Sequence, residues 1–216
     1  MQFDMEALPP RDRYKILTST VTPRPIAWVT SQSASGILNA APFSFFNVMD
    51  DDPPVVVLGI MRHPENRPKD TGANIQETGE FVINLVTEDL ADAMNITCMD
   101  APPEVDELAC AGLTPAPSIK VKPPRIAESP VNFECRTFRI VETAPHQMIV
   151  IGRVIMAHIR DDMILDPERC HIDTPRLRLI GRMHGSGWYA RTSDLFELKR
   201  PRYADWAAAQ QARQDG

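Results

Sequence analysis

The chain has 216 residues, a formal net charge of −6, and 43% hydrophobic against 24% charged residues. That length supports one well-buried core and is short for two, and the composition excludes intrinsic disorder as the main state. The negative balance offers nucleic acid no clustered cationic surface, no run reaches the length of a membrane span, and residues 1–6 open acidic rather than basic-then-apolar. The expectation is a cytoplasmic protein with a single domain over 1–216 and neither nucleic-acid nor membrane partners. Any anionic ligand must then be held by local basic groups.

The 20 prolines cut the chain into short elements and largely exclude long helices. Residues 26–30 form a short apolar run rich in β-branched and aromatic residues, read as a buried strand ending in Thr30-Ser31, and residues 55–59 and 81–86 repeat the pattern. Residues 70–79 carry capping residues at the start and Gly79 at the end, which predicts a short helix. A second helix is predicted over 88–97, where Leu90, Ala93, Met94 and Thr97 fall on one side. Prolines at seven positions between 100 and 130 argue against regular structure there, so this segment reads as a surface excursion or an arm packed on a partner subunit. Residues 132–141 and 148–159 are extended runs joined by a hairpin loop at 142–147, and the tail after Tyr203 reads as a frayed helix. The sum is a mainly β fold with short helices.

Three segments can carry chemistry. In the first, the tip of the 26–31 strand brings the hydroxyls of Thr30 and Ser31 just beyond Trp28, and Asn39-Ala40-Ala41-Pro42 offers small side chains that admit a flat ring. Ser44 and Asn47 add polar groups among Phe43, Phe45 and Phe46. A buried strand with satisfied Ser and Asn fits the same pattern. In the second, Arg67 and Lys69 stand just before a helix start at Asp70-Thr71, where free N–H groups favour an anion. Asp70 or Thr71 as a plain N-cap, with Lys69 solvated, is the alternative. In the third, three glycines between 181 and 187 precede Trp188 and Tyr189, aromatics able to cover a ring. That segment lacks the Gly-x-Gly-x-x-Gly order, and neither that fingerprint nor a Walker lysine occurs elsewhere.

The four cysteines, Cys98, Cys110, Cys135 and Cys170, form no Cys-x-x-Cys pair, and His63, His146, His158 and His171 lack a zinc-type partner or a triad carboxylate nearby. Neither a metal site nor a protein nucleophile is expected.

Taken in order, residues 24–31, 39–47, 52–54, Lys69-Asp70-Thr71 with Asn74-Ile75, and 78–84 resemble the flavin reductase-like family, in particular its flavoredoxin-type members. The match extends from about Tyr14 to Arg191. The resemblance implies an FMN-binding split β-barrel that works as a homodimer, with the flavin at or near the subunit interface. It implies that Thr30, Ser31 and residues 44–47 contact the isoalloxazine and ribityl regions, and that Lys69 and Thr71 hold the phosphate. Trp28, Ala41, Pro42, Arg67 and Asp70 complete the candidate cofactor-binding set, and His184, Trp188 and Tyr189 are candidates for covering the flavin or lining a hydride-donor pocket. The expected function is NAD(P)H-dependent flavin reduction, feeding reduced flavin to a separate monooxygenase. An electron carrier or FMN-storage protein uses the same site, as does direct two-electron chemistry on a small organic substrate. Flavin chemistry requires no protein acid to move hydride, and nothing in the residues separates NADH from NADPH.

Overall fold

The computed structural model describes residues 1–214. Along the chain run α1 (Pro10–Thr20), β1 (Ala27–Gln32), β2 (Leu38–Phe43), β3 (Phe46–Asp51), β4 (Pro54–Ile60), α2 (Asp70–Thr78), β5 (Glu80–Leu85), α3 (Ala91–Ile96), α4 (Glu107–Cys110), β6 (Pro115–Ala116), β7 (Arg125–Ile126), β8 (Val131–Ala144), β9 (Gln147–Ile159), β10 (Ile164–Asp166), β11 (His171–Ile172), β12 (Ile180–Arg182), β13 (Tyr189–Arg191) and α5 (Tyr203–Gln214). Seven strands make one antiparallel sheet in the order β2-β1-β5-β8-β9-β4-β3. The two edge strands, β2 and β3, are consecutive in the chain with only Ser44 and Phe45 between them, so the sheet must curl until its edges meet. They are joined covalently rather than by a ladder. The result is a barrel split along that seam, where the Gly59 N–H donates to Phe45 O at 2.7 Å.

Inside the barrel, alternate residues of neighbouring strands interlock: Ala27 and Val29, Val56 and Leu58, Phe81 and Ile83, with Cys135 and Val150. The outer face of β1 is covered as well, since Ile26, Trp28, Ala40, Met94, Leu108 and Ile126 form a second core. Burial on both faces explains why β1 reads as an unbroken apolar run.

The segment from 100 to 130 supplies that cover from within the same chain. Its prolines break it into pieces, but α4 and the β6–β7 pair form, and Leu108, Leu113, Val121 and Ile126 are buried. Each fully buried aliphatic side chain contributes about 1.5–3 kcal/mol relative to exposure, which outweighs the lost regularity.

Other expectations shift in detail. Strand β1 runs on to Gln32 and pairs Ser31 with Asn39, so Ser31 lies within the ladder rather than at a strand tip. The helix expected at 88–97 begins as a 3-10 turn at Glu88–Leu90 before α3. Strands β8 and β9 continue until Ala144 pairs with Gln147, leaving two residues in the turn. Helix α2 follows the sequence closely: it ends at Gly79, whose φ of 71° no branched residue adopts cheaply and whose N–H caps Ile75 O. Among the described residues no helix is long and apolar enough to cross a membrane.

Candidate functional site

The barrel seam is held by a buried cation. Arg24, 6% exposed, donates through Nη1 to the carbonyls of Thr18 and Val21, both at 2.8 Å, which caps the C-terminal end of α1. Its Nη2 reaches Met183 O at 3.1 Å and its Nε reaches Ser44 Oγ at 3.3 Å. Arg24 thus joins α1, the seam residue Ser44 and the β12–β13 hairpin at one point. Burial lowers its pKa from the ordinary guanidinium value, opposed by the Tyr14 hydroxyl.

A cleft of about 310 Å³ opens beside the seam, lined by Tyr14, Pro42, Ser44, Phe45, Arg62 and Lys69 among others. Tyr14 and Phe45 form its apolar wall, their ring centroids 6.1 Å apart. Phe45 is fixed against Gly59: a Cβ at position 59 would stand 3.0 Å from the Phe45 Cβ. Lys69 also borders a small cavity of about 30 Å³, which contacts Asn39, Ala41, His63, Asp70, Thr71, Asp100 and Glu107. The two spaces meet at Lys69, immediately before the first turn of α2.

That first turn rests on a buried polar network. Thr71 Oγ1 donates to Asn39 Oδ1 at 2.7 Å, Ser31 Oγ donates to the same oxygen at 3.3 Å, and Asn74 Nδ2 donates to Ser31 Oγ at 3.1 Å. Glu107 closes the network from α4. Its carboxylate accepts from Asn39 Nδ2 and from the Ala40 N–H at 3.1 Å. Burial pushes the Glu107 carboxyl above the ordinary range despite those hydrogen bonds.

The candidate residues separate into groups. Pro42, Ser44, Phe45 and Lys69 share the cleft, and Ala41, Asp70 and Thr71 adjoin it through Lys69. Arg67 stands at the rim, 3.4 Å from Asp70 and 3.5 Å from Glu65. Trp28, Thr30 and Ser31 are fully buried behind the cleft, with Trp28 Nε1 donating to Thr97 Oγ1 at 2.9 Å and Thr30 Oγ1 donating to Pro124 O at 2.5 Å. Phe46 and Asn47 line a different, almost wholly apolar groove of about 440 Å³ with Pro25, Leu85, Phe133 and Ile180. That groove is larger, but the cation on its lining, Arg24, is already committed to carbonyls and Ser44, and among the described residues no helix start borders it. Trp188, 64% exposed, and His184 sit on the β12–β13 turn with ring centroids 6.2 Å apart, while the Arg182 guanidinium lies 4.8 Å over the Tyr189 ring. Arg24 ties this hairpin to Ser44.

The geometry is therefore a ring-sized cleft on a split barrel, ending in a lysine and a helix start. The flavin reductase like domain model matches residues 19–171. The chain belongs to this family. An uncharacterized protein of Deinococcus radiodurans is 43% identical over 99% of this chain and 96% of its own length. Among solved structures, the Pseudomonas fluorescens 2-nitrobenzoate 2-nitroreductase NbaA superposes with a TM-score of 0.85 at 32% identity, covering 94% of this chain and 98% of that one. Nitrilotriacetate monooxygenase component B from Bacillus cereus gives 0.84 at 33% identity, covering 92% and 98%.

For this family member, sequence reasoning passed over Tyr14, Arg24, Arg62, Asp100 and Glu107 as site residues. Arg24 opens the 24–31 motif but has no role assigned to it there, Tyr14 stands ahead of that motif, and Asp100 and Glu107 fall in the proline-rich segment. Only the folded chain brings them to the cleft.

Proposed function

We propose that this protein binds FMN in the Ser44–Lys69 cleft and is an NADH- or NADPH-dependent flavin reductase that supplies reduced flavin to a flavin-dependent monooxygenase. The observation that carries the reading is the position of Lys69, shared between a ring-sized cleft and the start of α2. A planar ring against Tyr14, Pro42 and Phe45 leaves its tail pointing to a cation and to the unpaired N–H groups of a helix first turn, an arrangement suited to one terminal phosphate. Within that cleft, Ser44 and Arg62 supply polar contacts to the ring's edge. Trp28, Thr30 and Ser31 act as its rigid backing. A cleft that ends at one lysine and one helix start suits a single terminal phosphate, which favours FMN over FAD.

Bound FMN supplies the hydride-accepting ring, so the chain's own work is to bind, orient and shield. His184, Trp188 and Tyr189, on the hairpin that Arg24 links to Ser44, are the side chains we assign to covering the flavin. The apolar groove at Phe46 and Val48 supports a homodimer, and the reliance on NADH or NADPH supports a place in the cytoplasm.

The experiment is an absorbance spectrum of the purified protein with FMN, followed anaerobically on addition of NADH or NADPH. Bleaching of bound flavin by either nucleotide is expected. A flavin reduced only by a protein or chemical donor would move the reading to an electron carrier.

A further inference from the structure

The residue that contacts Lys69 most directly is an anion from the chain itself. Asp100 Oδ1 lies 3.9 Å from Lys69 Nζ and 3.3 Å from His63 Nε2. His63 is 7% exposed and held by its own turn: its N–H donates to Arg67 O and its carbonyl accepts from the Asn66 N–H, both at 2.9 Å. Its Nδ1 accepts from the Glu65 N–H at 3.2 Å, so the ring proton resides on Nε2. That Nε2 is buried without a hydrogen-bond partner, because Asp100 approaches it out of line. A buried N–H donor aimed into a cavity that already holds a lysine and a helix first turn is the mark of an anion site.

Asp100 fills that site poorly and reversibly. Its side chain is 51% exposed, so it loses little by turning into water. The space beside it is small, about 30 Å³, so a tetrahedral oxyanion and the Asp100 carboxylate would compete for it. Of the other acidic groups, Asp70 faces Arg67 and Glu107 faces Asn39, while Glu65 lies 3.5 Å from Arg67 and 3.8 Å from His63 Nδ1, on the ring nitrogen opposite Nε2.

We propose that Asp100 is a built-in surrogate anion, whose carboxylate stands on the His63–Lys69 phosphate subsite and is displaced when the flavin's terminal phosphate enters, with His63 Nε2–H as a phosphate donor. This rests on the reading that Lys69 receives the phosphate. The 100–130 segment then sets the affinity of the site by competition.

The test is calorimetric titration of the full chain with FMN, riboflavin and inorganic phosphate, using wild type, Asp100→Asn, Asp100→Ser, His63→Phe and His63→Gln, each checked for an unchanged thermal transition. Both Asp100 variants should bind FMN and inorganic phosphate about threefold to tenfold more tightly and leave riboflavin within about twofold. His63→Phe should weaken FMN by about tenfold without affecting riboflavin, and His63→Gln, which keeps a side-chain N–H, should recover part of the loss. If wild type prefers FMN to riboflavin but the Asp100 variants bind FMN no better, Asp100 is not a competitor and the proposal is overturned alone. If wild type binds the two flavins equally, the phosphate reading itself fails and the proposal falls with it.

Discussion

Glu107 holds Asn39 from behind, both carboxylate oxygens lying 3.0 Å from the Asn39 amide nitrogen. That contact orients the amide so that its oxygen accepts from Thr71 and Ser31, and so fixes the first turn of α2. Glu107→Ala leaves the Asn39 amide and the Ala40 N–H unpaired in a buried place, at a cost of about 1–3 kcal/mol. Urea unfolding should show that loss, and FMN affinity should fall with it. A pH series tests the charge. The folded carboxyl sits above its unfolded value, so the native state holds the proton longer and this group's contribution to stability declines as pH rises from the unfolded value through the folded one. Glu107→Gln lacks that dependence. The variant should therefore gain on wild type toward neutral pH, and parallel curves would show that Glu107 is not the titrating group.

Lys69→Ala should weaken FMN far more than riboflavin, because only FMN brings the anion. Losing a charge-assisted hydrogen bond costs about 1.5–3 kcal/mol, or roughly tenfold and upward in affinity. Titration of both ligands checks this. Equal weakening would mean that Lys69 supports the fold instead.

A separate carboxylate secures the loop that covers β8. Glu134 is fully buried, accepts from the Ile119 and Lys120 N–H groups at 2.7 and 2.6 Å, and lies 2.6 Å from His158 Nε2. Burial alone would raise its pKa, but these hydrogen bonds outweigh it and hold the group below the ordinary range. The folded value is thus below the unfolded one. Its stabilisation is present above the unfolded carboxylate pKa and lost as pH falls through the folded value. Glu134→Gln should cost about 2 kcal/mol at neutral pH, with the gap to wild type closing in acid. A constant gap across the acid range would assign the loss to packing.

Much of the barrel was legible because β1, β4 and β5 are buried deeply enough to read as apolar runs, and α2 carried its own stop signal at Gly79. Helix α1 was not legible: only Thr18 is buried, while Tyr14 and Leu17 are exposed, so no apolar period marks it. Strand β3 exposes Val48 and Met49 along a sheet edge and shows no alternation. For the candidate site, the fold brings Lys69 and residues 42–45 of the two ordered motifs around one cleft. Three-dimensional adjacency was out of reach, because Asp100 and Glu107 meet Lys69 and Asn39 only through the folding of a segment whose prolines hide its buried leucines and isoleucine.

The apolar groove gives a prediction about assembly. Phe46 and Val48 line it, and Val48 is 61% exposed, a costly surface to leave in water. Light scattering at micromolar concentration should give a homodimer, and Val48→Glu should shift it toward monomer by placing a charge on the buried face. A wild-type monomer with full flavin affinity would remove the case for an interfacial partner.

The hydride donor should be held weakly, and the β12–β13 hairpin should decide how weakly. No nucleotide fingerprint occurs in the sequence, so NADH or NADPH must rely on stacking within the cleft and on the side chains bordering it. Trp188 is exposed, Tyr189 lies beneath Arg182, and both belong to a hairpin that Arg24 links to Ser44. They are well placed to meet a second ring and poorly placed to hold the first. The Michaelis constant for the nucleotide should therefore fall in the upper part of the usual range, about 0.1–1 mM. Trp188→Ala and Tyr189→Ala should raise it several-fold while FMN retention stays nearly unchanged. Stopped-flow reduction of the FMN-loaded protein, with FMN titrations on the same variants, separates the two effects. If the substitutions release FMN without altering nucleotide saturation, the hairpin belongs to the cofactor's wall and the donor must approach from elsewhere.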